Sequence, residues 1–166
     1  MEMGRLLAGL MQSGDVRCLC LAGTLGCGKT TLVRGFVSAF PGGEKAEVAS
    51  PSFTLCNIYP TRPEIVHADL YRLNDASPLP EEAEDAWEEG GLLILEWPER
   101  AERLPKERLE LHLEELSQER AEKLDNSEKT WKSHRLATFE AFGSCAQGLL
   151  LNAVATLKRR FPSAQY

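Results

Sequence analysis

The residues with the clearest chemical potential lie at positions 23–31, in the stretch GTLGCGKTT. This stretch matches the pattern G-x-x-x-x-G-K-[ST] from residue 23 to residue 30. Glycines at these spacings let the backbone curl until successive N–H groups point at one anion, a geometry that suits a polyphosphate. We therefore predict that this loop binds the phosphates of a nucleotide.

Within the loop, two side chains are expected to act on the phosphates directly. Lys29 is predicted to bridge the β- and γ-phosphates, and the Thr30 hydroxyl is predicted to hold Mg²⁺. The helix that follows would add its positive N-terminal end. The predicted phosphate-binding residues form one continuous run: Gly23, Thr24, Leu25, Gly26, Cys27, Gly28, Lys29, Thr30 and Thr31.

A triphosphate site also needs carboxylates near the metal, and two acids stand where apolar runs end. EIVHAD ends in Asp69, and LLILE ends in Glu96. Either carboxylate can hold Mg²⁺ through water or orient an attacking water. Because both acids are expected beside the phosphate loop, we predict that they act with Lys29 in catalysis.

Several neighbouring residues admit two interpretations each. The segment SPSFT at 50–54 is either a switch-like segment that senses the terminal phosphate or an ordinary proline turn. Trp97 either belongs to the core or covers the nucleotide, and Arg72 either reaches phosphate or pairs with a surface acid. The histidines are scattered without ligand spacing, so we assign them no metal: His67, His112 and His134.

The elements on either side of the loop must hold it in place. VRCLCLA at 16–22 is a short apolar run that ends at glycine, as a buried strand does. KTTLVRGFVSAF has its apolar residues at helical spacing, and the sequence PGG follows it. The order strand, glycine loop, helix is the setting that a phosphate loop requires.

The rest of the chain predicts an α/β fold, a P-loop NTPase-like three-layer sandwich. We expect one strand from Phe53 to Tyr59 and another over EIVHAD, joined by a turn too short for a helical crossover. These strands should be antiparallel, so the central sheet is predicted to be mixed. Further predicted elements, from sequence pattern, are an N-terminal helix, an acidic helix in LPEEAEDAWEEGG, strands in LLILEW, RLELHLEEL and HRLATFEAF, and a helix beginning at the proline of PERAERL.

The predicted domain organisation is simple. Residues 1–143 are expected to form a single P-loop domain, in which 117–133 is a polar surface excursion. Residues 144–166 are expected to form a C-terminal helix packed on or extending that domain, with Ser144 as its cap.

Composition narrows the class of protein. The chain has 166 residues and a net charge of −6, which argues against a protein that clamps naked nucleic acid over a broad surface. No apolar run approaches membrane-spanning length. The five cysteines include no C-x-x-C pair, so we expect neutral thiols in a reducing cytoplasm and a cytoplasmic protein.

Four motifs together carry a family resemblance. GTLGCGKTT, SPSFTL, HADLYRL and LEWPER, in this order and spacing over residues 23–100, resemble the TsaE family. Weaker likeness extends to about residue 143. TsaE proteins are small bacterial P-loop ATPases of tRNA threonylcarbamoyladenosine biosynthesis.

The resemblance implies a cofactor, a metal and partners. It implies Mg²⁺-dependent ATP hydrolysis that supports TsaB and TsaD as they modify adenosine 37 of tRNA. The tRNA would be contacted only through that complex, and neither a membrane nor DNA is implied. Carried over by position, Thr30 and Glu96 are the Mg²⁺ ligands, Asp69 is a catalytic or water-positioning acid, and Trp97 is an aromatic residue of the nucleotide site.

The chain departs from the family pattern at three motif positions. Thr24 stands where aspartate is usual, Ser52 replaces a threonine, and Ala68 replaces an aromatic residue. These changes bear on hydrolysis rate and partner contacts rather than on phosphate binding, and hydrolysis without partners is expected to be weak. Two alternatives stay open: a small P-loop metabolite kinase, and an ATP-dependent assembly module with little turnover.

Overall fold

The computed structural model describes residues 1–12, 14–115 and 135–160, the last five of them by backbone alone. The excursion predicted at 117–133 lies outside the described residues, as do His134 and the chain after residue 160. The described helices are α1 (Glu2–Met11), α2 (Lys29–Val37), α3 (Glu81–Glu89), a 3₁₀ turn (Pro98–Arg100) and α4 (Ser144–Arg160). The strands are β1 (Cys18–Gly23), β2 (Cys56–Tyr59), β3 (Ile65–Asp69), β4 (Leu92–Glu96), β5 (Arg108–Glu115) and β6 (Arg135–Phe142).

The six strands form one mixed sheet in the order β2-β3-β4-β1-β5-β6. The four inner strands run parallel, and the edge strands β2 and β6 each pair antiparallel with their neighbours. The expected antiparallel pairing of β2 with β3 is therefore confirmed. The central strands β1 and β4 read as nearly continuous apolar runs because both of their faces are covered by other elements, whereas β5 alternates apolar and polar residues.

Helices cover the sheet on both faces, which gives the predicted three-layer α/β sandwich. One core cluster joins α1 and α2 to the face that carries Leu19, Leu21 and Ile94. A second cluster joins α3 to the opposite face, through residues such as Val66 and Leu95. Successive strand residues thus alternate between the two cores, as the period of two along a strand requires.

The topology brings the carboxyl ends of β1, β3 and β4 to one edge of the sheet. In the pairing register, Asp69 lies beside Glu96, and Glu96 lies beside Leu21 near the end of β1. The phosphate loop begins directly after β1. Because β1, β3 and β4 are parallel, both predicted acids lie beside the start of the phosphate loop. The ligand sites of open α/β sheets commonly lie at this edge, where the carboxyl ends of the strands meet.

Two local predictions were wrong at their boundaries. The strand expected from Phe53 begins only at Cys56, because Leu55 has a left-handed backbone (φ 66°) that ends a turn over the preceding residues. The helix expected after Pro98 is a single 3₁₀ turn. Its apolar residues lack the spacing of a longer amphipathic helix, so little packing energy would extend it.

The predicted capping role of Ser144 is also wrong. Helix α4 begins at Ser144 itself. The first free N–H groups of the helix donate hydrogen bonds to a residue from another segment. The Glu107 carboxylate accepts hydrogen bonds from the N–H groups of Cys145 and Ala146, at 3.0 and 3.1 Å. A negative charge at a helix N-terminus is favoured by the helix dipole, so this distant acid replaces a local cap.

Helices α1 and α2 approach closely at Gly4, which permits a matched test of the packing. A Cβ at Gly4 would overlap the carbonyl oxygen of Leu32, whereas a Cβ at Gly9 of the same helix meets nothing. We expect Gly4→Ala to destabilise the fold by about 1–3 kcal/mol, the usual cost of overpacking. Gly9→Ala should stabilise it by up to about 1 kcal/mol through helix propensity. Urea denaturation of both variants measures the difference, and equal stabilities would contradict this packing.

The cysteines are predicted to differ in alkylation rate. Burial raises the pKa of the Cys56 thiol to about 12, so that it stays protonated at neutral pH, whereas Cys145 is exposed. At about pH 8 the thiolate fraction of Cys56 should be roughly three orders of magnitude below that of an ordinary thiol. Iodoacetamide should therefore label Cys145 first, as followed by peptide mass spectrometry. Labelling of Cys56 at the rate of Cys145 would contradict this expectation.

Candidate functional site

The backbone of the phosphate loop has a conformation suited to binding an anion. Gly26 and Gly28 adopt positive φ angles of 79° and 107°, which a residue with a Cβ would resist. Helix α2 begins immediately afterwards at Lys29. The first N–H groups of any α-helix lack intrahelical acceptors, so those at the start of α2 are available to a ligand.

Lys29 is the buried cation of this loop, with only 5% of the residue exposed. Its Nζ donates to the carbonyl oxygens of Gly23 and Thr24, at 2.7 and 3.1 Å. The same ammonium group lies 4.3 Å from the centroid of the Trp97 ring, within the range of a cation–π interaction. The position of the Lys29 ammonium group is thus fixed by two main-chain oxygens and the face of the Trp97 ring.

Thr30 and Glu96 meet across the sheet edge. The Thr30 hydroxyl donates to Glu96 Oε1 at 3.0 Å, although the two residues lie far apart in sequence. The same oxygen lies 3.0 Å from Nε2 of His67, which is fully buried. One carboxylate oxygen of Glu96 therefore receives both contacts, which fixes the orientation of the group.

Asp69 is held separately from Glu96, by the segment at 50–54 and by the backbone after β3. Ser50 Oγ lies 2.5 Å from Asp69 Oδ2, and the Tyr71 N–H donates to Asp69 Oδ1 at 3.1 Å. Asp69 is 3% exposed. The segment at 50–54 is therefore tied to Asp69 through the Ser50 hydroxyl.

Aromatic side chains border the cavity. Trp97 has a left-handed backbone (φ 61°) and packs against Tyr71, with 5.0 Å between the ring centroids. Arg72 lies over the ring of Phe53, at 4.2 Å. Phe53 itself is 83% exposed. Trp97 packs against the second core cluster and also lines the cavity beside Lys29.

Most of the predicted residues surround one cavity of about 470 Å³. Its lining consists of Leu25, Gly26, Gly28, Lys29, Thr30, Thr31, Ser50, Ser52, Asp69, Tyr71, Arg72, Glu96 and Trp97. The other predicted loop residues support the loop from behind. Gly23 lies against the backbone of Leu113, the Thr24 carbonyl holds Lys29, and the Cys27 carbonyl accepts a hydrogen bond from Arg135 Nε at 3.2 Å.

Two site residues were missed or left undecided by sequence reasoning. The lack of ligand spacing predicts no metal at His67 and indicates no other role, yet His67 contacts Glu96. The sequence does contain a signal that places His67 near the site. His67 and Asp69 are two residues apart on β3, so their side chains face the same side of the sheet. For Ser50, the sequence indicates only that it belongs to the hydroxyl-rich segment at 50–54. Its contact with Asp69 joins residues far apart in the chain, so no local sequence pattern predicts it.

The oxygen donors at this edge are chemically suited to Mg²⁺. Thr30 and Glu96 offer a hydroxyl and a carboxylate within 3.0 Å of each other, and a second carboxylate follows at the paired position of β3. Among the described residues, no group of three or more His, Cys, Asp or Glu side chains is arranged to hold a metal unaided. Mg²⁺ commonly binds through one or two protein oxygens plus substrate phosphates and water, so the donors present fit that mode.

Comparison with known proteins identifies the family. The family model for the threonylcarbamoyl adenosine biosynthesis protein TsaE matches residues 1–123. The tRNA threonylcarbamoyladenosine biosynthesis protein TsaE of Streptomyces coelicolor is 33% identical over 142 residues, which cover 82% of this chain and 93% of that protein. The protein of the same name from Aquifex aeolicus is 40% identical over 100 residues, covering 60% of this chain and 69% of its own length.

The fold also matches a solved structure. Bacillus subtilis YdiB superposes with a TM-score of 0.66 at 23% identity, covering 93% of this chain and 86% of that chain. At this identity the likeness supports the fold alone. In the part of the chain that the structure describes, no helix has both the length and the apolar character needed to cross a membrane. From the family match and its curated relatives, this chain belongs to the TsaE family of threonylcarbamoyl adenosine biosynthesis proteins.

Proposed function

We propose that this protein is a Mg²⁺-dependent ATPase that supports threonylcarbamoyladenosine formation on tRNA together with TsaB and TsaD. The observation that carries the proposal is the convergence of Lys29, Thr30 and Glu96 at the N-terminus of α2. A buried ammonium group, a hydroxyl and a carboxylate around a glycine loop form the donor set that phosphoryl transfer requires. The place in tRNA modification is supported by the family.

The geometry supports a division of roles between the two acids. Glu96 contacts the Thr30 hydroxyl, so these two residues would hold Mg²⁺ together. Asp69 lines the cavity, and Ser50 and the Tyr71 N–H each bond one of its oxygens. The remaining lone pairs of this fixed carboxylate would position the attacking water beside the segment at 50–54. When bound, the metal ion would neutralise charge on the phosphates.

Nucleotide binding would change the contacts of Lys29. Its bonds to the Gly23 and Thr24 carbonyls satisfy the ammonium group in this structure, and phosphate oxygens would provide stronger, charge-assisted acceptors. The Trp97 ring would keep one side of the ammonium group away from water. Binding would thus exchange partners around a cation that is already positioned, so little side-chain ordering is required.

Reconstitution tests the proposal most directly. Purified protein would be combined with TsaB, TsaD, tRNA, a threonylcarbamoyl donor and Mg²⁺–ATP, and modified nucleosides would be counted per complex. We expect several turnovers per complex with this protein and about one without it. Equal yields with and without the protein would contradict the pathway assignment.

A second measurement in the same reaction separates ATP hydrolysis from ATP-dependent assembly. We expect phosphate release to accompany the additional turnovers. A non-hydrolysable ATP analogue that supports modification as well as ATP does would instead indicate an assembly module. Transfer of phosphate to a small acceptor molecule, in place of release to water, would indicate a kinase.

A further inference from the structure

We propose that His67 is a positioning residue that holds the Glu96 carboxylate in the orientation needed to bind the nucleotide-bound metal ion. This inference rests on the proposed function and extends it beyond the side chains that line the cavity. His67 lies beneath the site, on the strand beside the one that carries Glu96. It is fully buried, and its Nε2 lies 3.0 Å from Glu96 Oε1.

The contact has a definite polarity. A carboxylate oxygen only accepts hydrogen bonds, so Nε2 of His67 must carry the proton and donate it. Thr30 donates to the same oxygen. The two donors therefore converge on Oε1 and turn the other oxygen, Oε2, away from them.

His67 would give Glu96 a second fixed contact in the metal-bound state. The Thr30 hydroxyl has lone pairs that could face a metal ion while its O–H still donates to Glu96. The bond from His67 links the same carboxylate to the buried sheet. Groups that hydrogen-bond to metal ligands commonly tune metal affinity in this manner.

The surroundings of His67 fix the plane of its ring. Tyr59 stacks on it, with 6.4 Å between the ring centroids and 24° between the planes. Burial raises the pKa of Tyr59, so this neighbour stays uncharged. Among the described residues, Nδ1 of His67 is a buried polar atom without a hydrogen-bond partner. Nothing on that side therefore competes with the bond from Nε2 to Glu96.

Metal binding by matched variants tests this role without relying on activity. His67→Phe removes the donor while keeping a planar ring, and His67→Gln restores an N–H at a similar distance. His112→Phe is the control, because His112 is exposed on β5. Binding of Mn²⁺ to each ADP-saturated protein would be measured by electron paramagnetic resonance, and thermal unfolding would be recorded alongside.

We expect His67→Phe to weaken Mn²⁺ binding about 10–100-fold, the usual effect of losing a partner of a metal ligand. His67→Gln should recover most of that loss, and the control should bind as the wild type does. Wild-type affinity in His67→Phe would overturn the role of His67 and leave the proposed function standing. Failure of the wild-type protein to bind Mn²⁺ with ADP would overturn both.

A measurement on the unaltered protein covers the case in which His67→Phe does not fold. In ¹⁵N-histidine-labelled protein, we expect a slowly exchanging Nε2–H resonance from His67. This resonance should shift when Mg²⁺ is added to the ADP complex and should be displaced in Glu96→Gln. A resonance that responds to neither change would overturn the proposal.

Discussion

The Lys29→Ala variant is expected to lose ATP turnover by a factor of about 10²–10³, the usual cost of removing one preorganised donor to a developing anion. Lys29 is buried, and its ammonium group is aimed by the Gly23 and Thr24 carbonyls and the Trp97 ring. No other lysine lines the cavity in the described part of the chain. Alanine would leave the phosphates without this cation, so nucleotide affinity should fall as well.

Lys45→Ala is the matched control for this prediction. Lys45 is exposed in the segment after α2, so its loss removes the same charge without touching the cavity. ATP affinity would be measured by isothermal titration calorimetry, and turnover by phosphate release with partners present. Thermal unfolding shows whether both variants are folded. A folded Lys29→Ala variant with unchanged affinity and turnover would contradict the assignment of the phosphate loop.

For Glu96→Gln the expected effect is selective. This change keeps the volume of the side chain and removes its negative charge, so the proposed Mg²⁺ site loses its charged ligand. We expect hydrolysis with partners present to fall by about 10²–10³, a typical effect for electrostatic groups in catalysis. Nucleotide affinity without Mg²⁺ should change little, because Glu96 contacts Thr30 and His67 rather than Lys29. The Mg²⁺ concentration for half-maximal activity should rise.

The control for Glu96 lies close by in the chain. Glu99 is exposed on the 3₁₀ turn, and Glu99→Gln removes an identical charge outside the cavity. We expect this variant to hydrolyse ATP at the wild-type rate. Equal hydrolysis by Glu96→Gln and Glu99→Gln would exclude Glu96 as the metal ligand, and Asp69 would then become the candidate.

Local sequence signals predicted much of the fold. The glycine loop between an apolar strand and an amphipathic helix is a short-range pattern, and the structure has that order at β1 and α2. The short turn after Tyr59 was enough to predict that β2 and β3 are antiparallel. The strand order β2-β3-β4-β1-β5-β6 was not predictable in the same way, since it depends on contacts between segments far apart in the chain.

The error at Ser144 arose because a distant group decided the outcome. Ser144 has the residue type of a helix cap, but the carboxylate of Glu107 occupies the N–H groups that it would have bonded. At the site, sequence reasoning placed both acids at strand ends. It did not reveal that Glu96 faces Thr30 and His67 whereas Asp69 faces Ser50. These contacts depend on how strands, a helix and a loop from distant parts of the chain pack together, which one sequence does not display.

The bond from Arg135 to the Cys27 carbonyl has a consequence for the direction in which the loop presents its amides. In a trans peptide the C=O and N–H groups point in opposite directions. Because the Cys27 oxygen is held by Arg135, the N–H of the cavity-lining Gly28 points away from Arg135. Arg135 begins β6, one of the two edge strands, beyond the residues matched by the family model. The orientation of one peptide dipole in the glycine loop is thus set by a residue at the edge of the sheet.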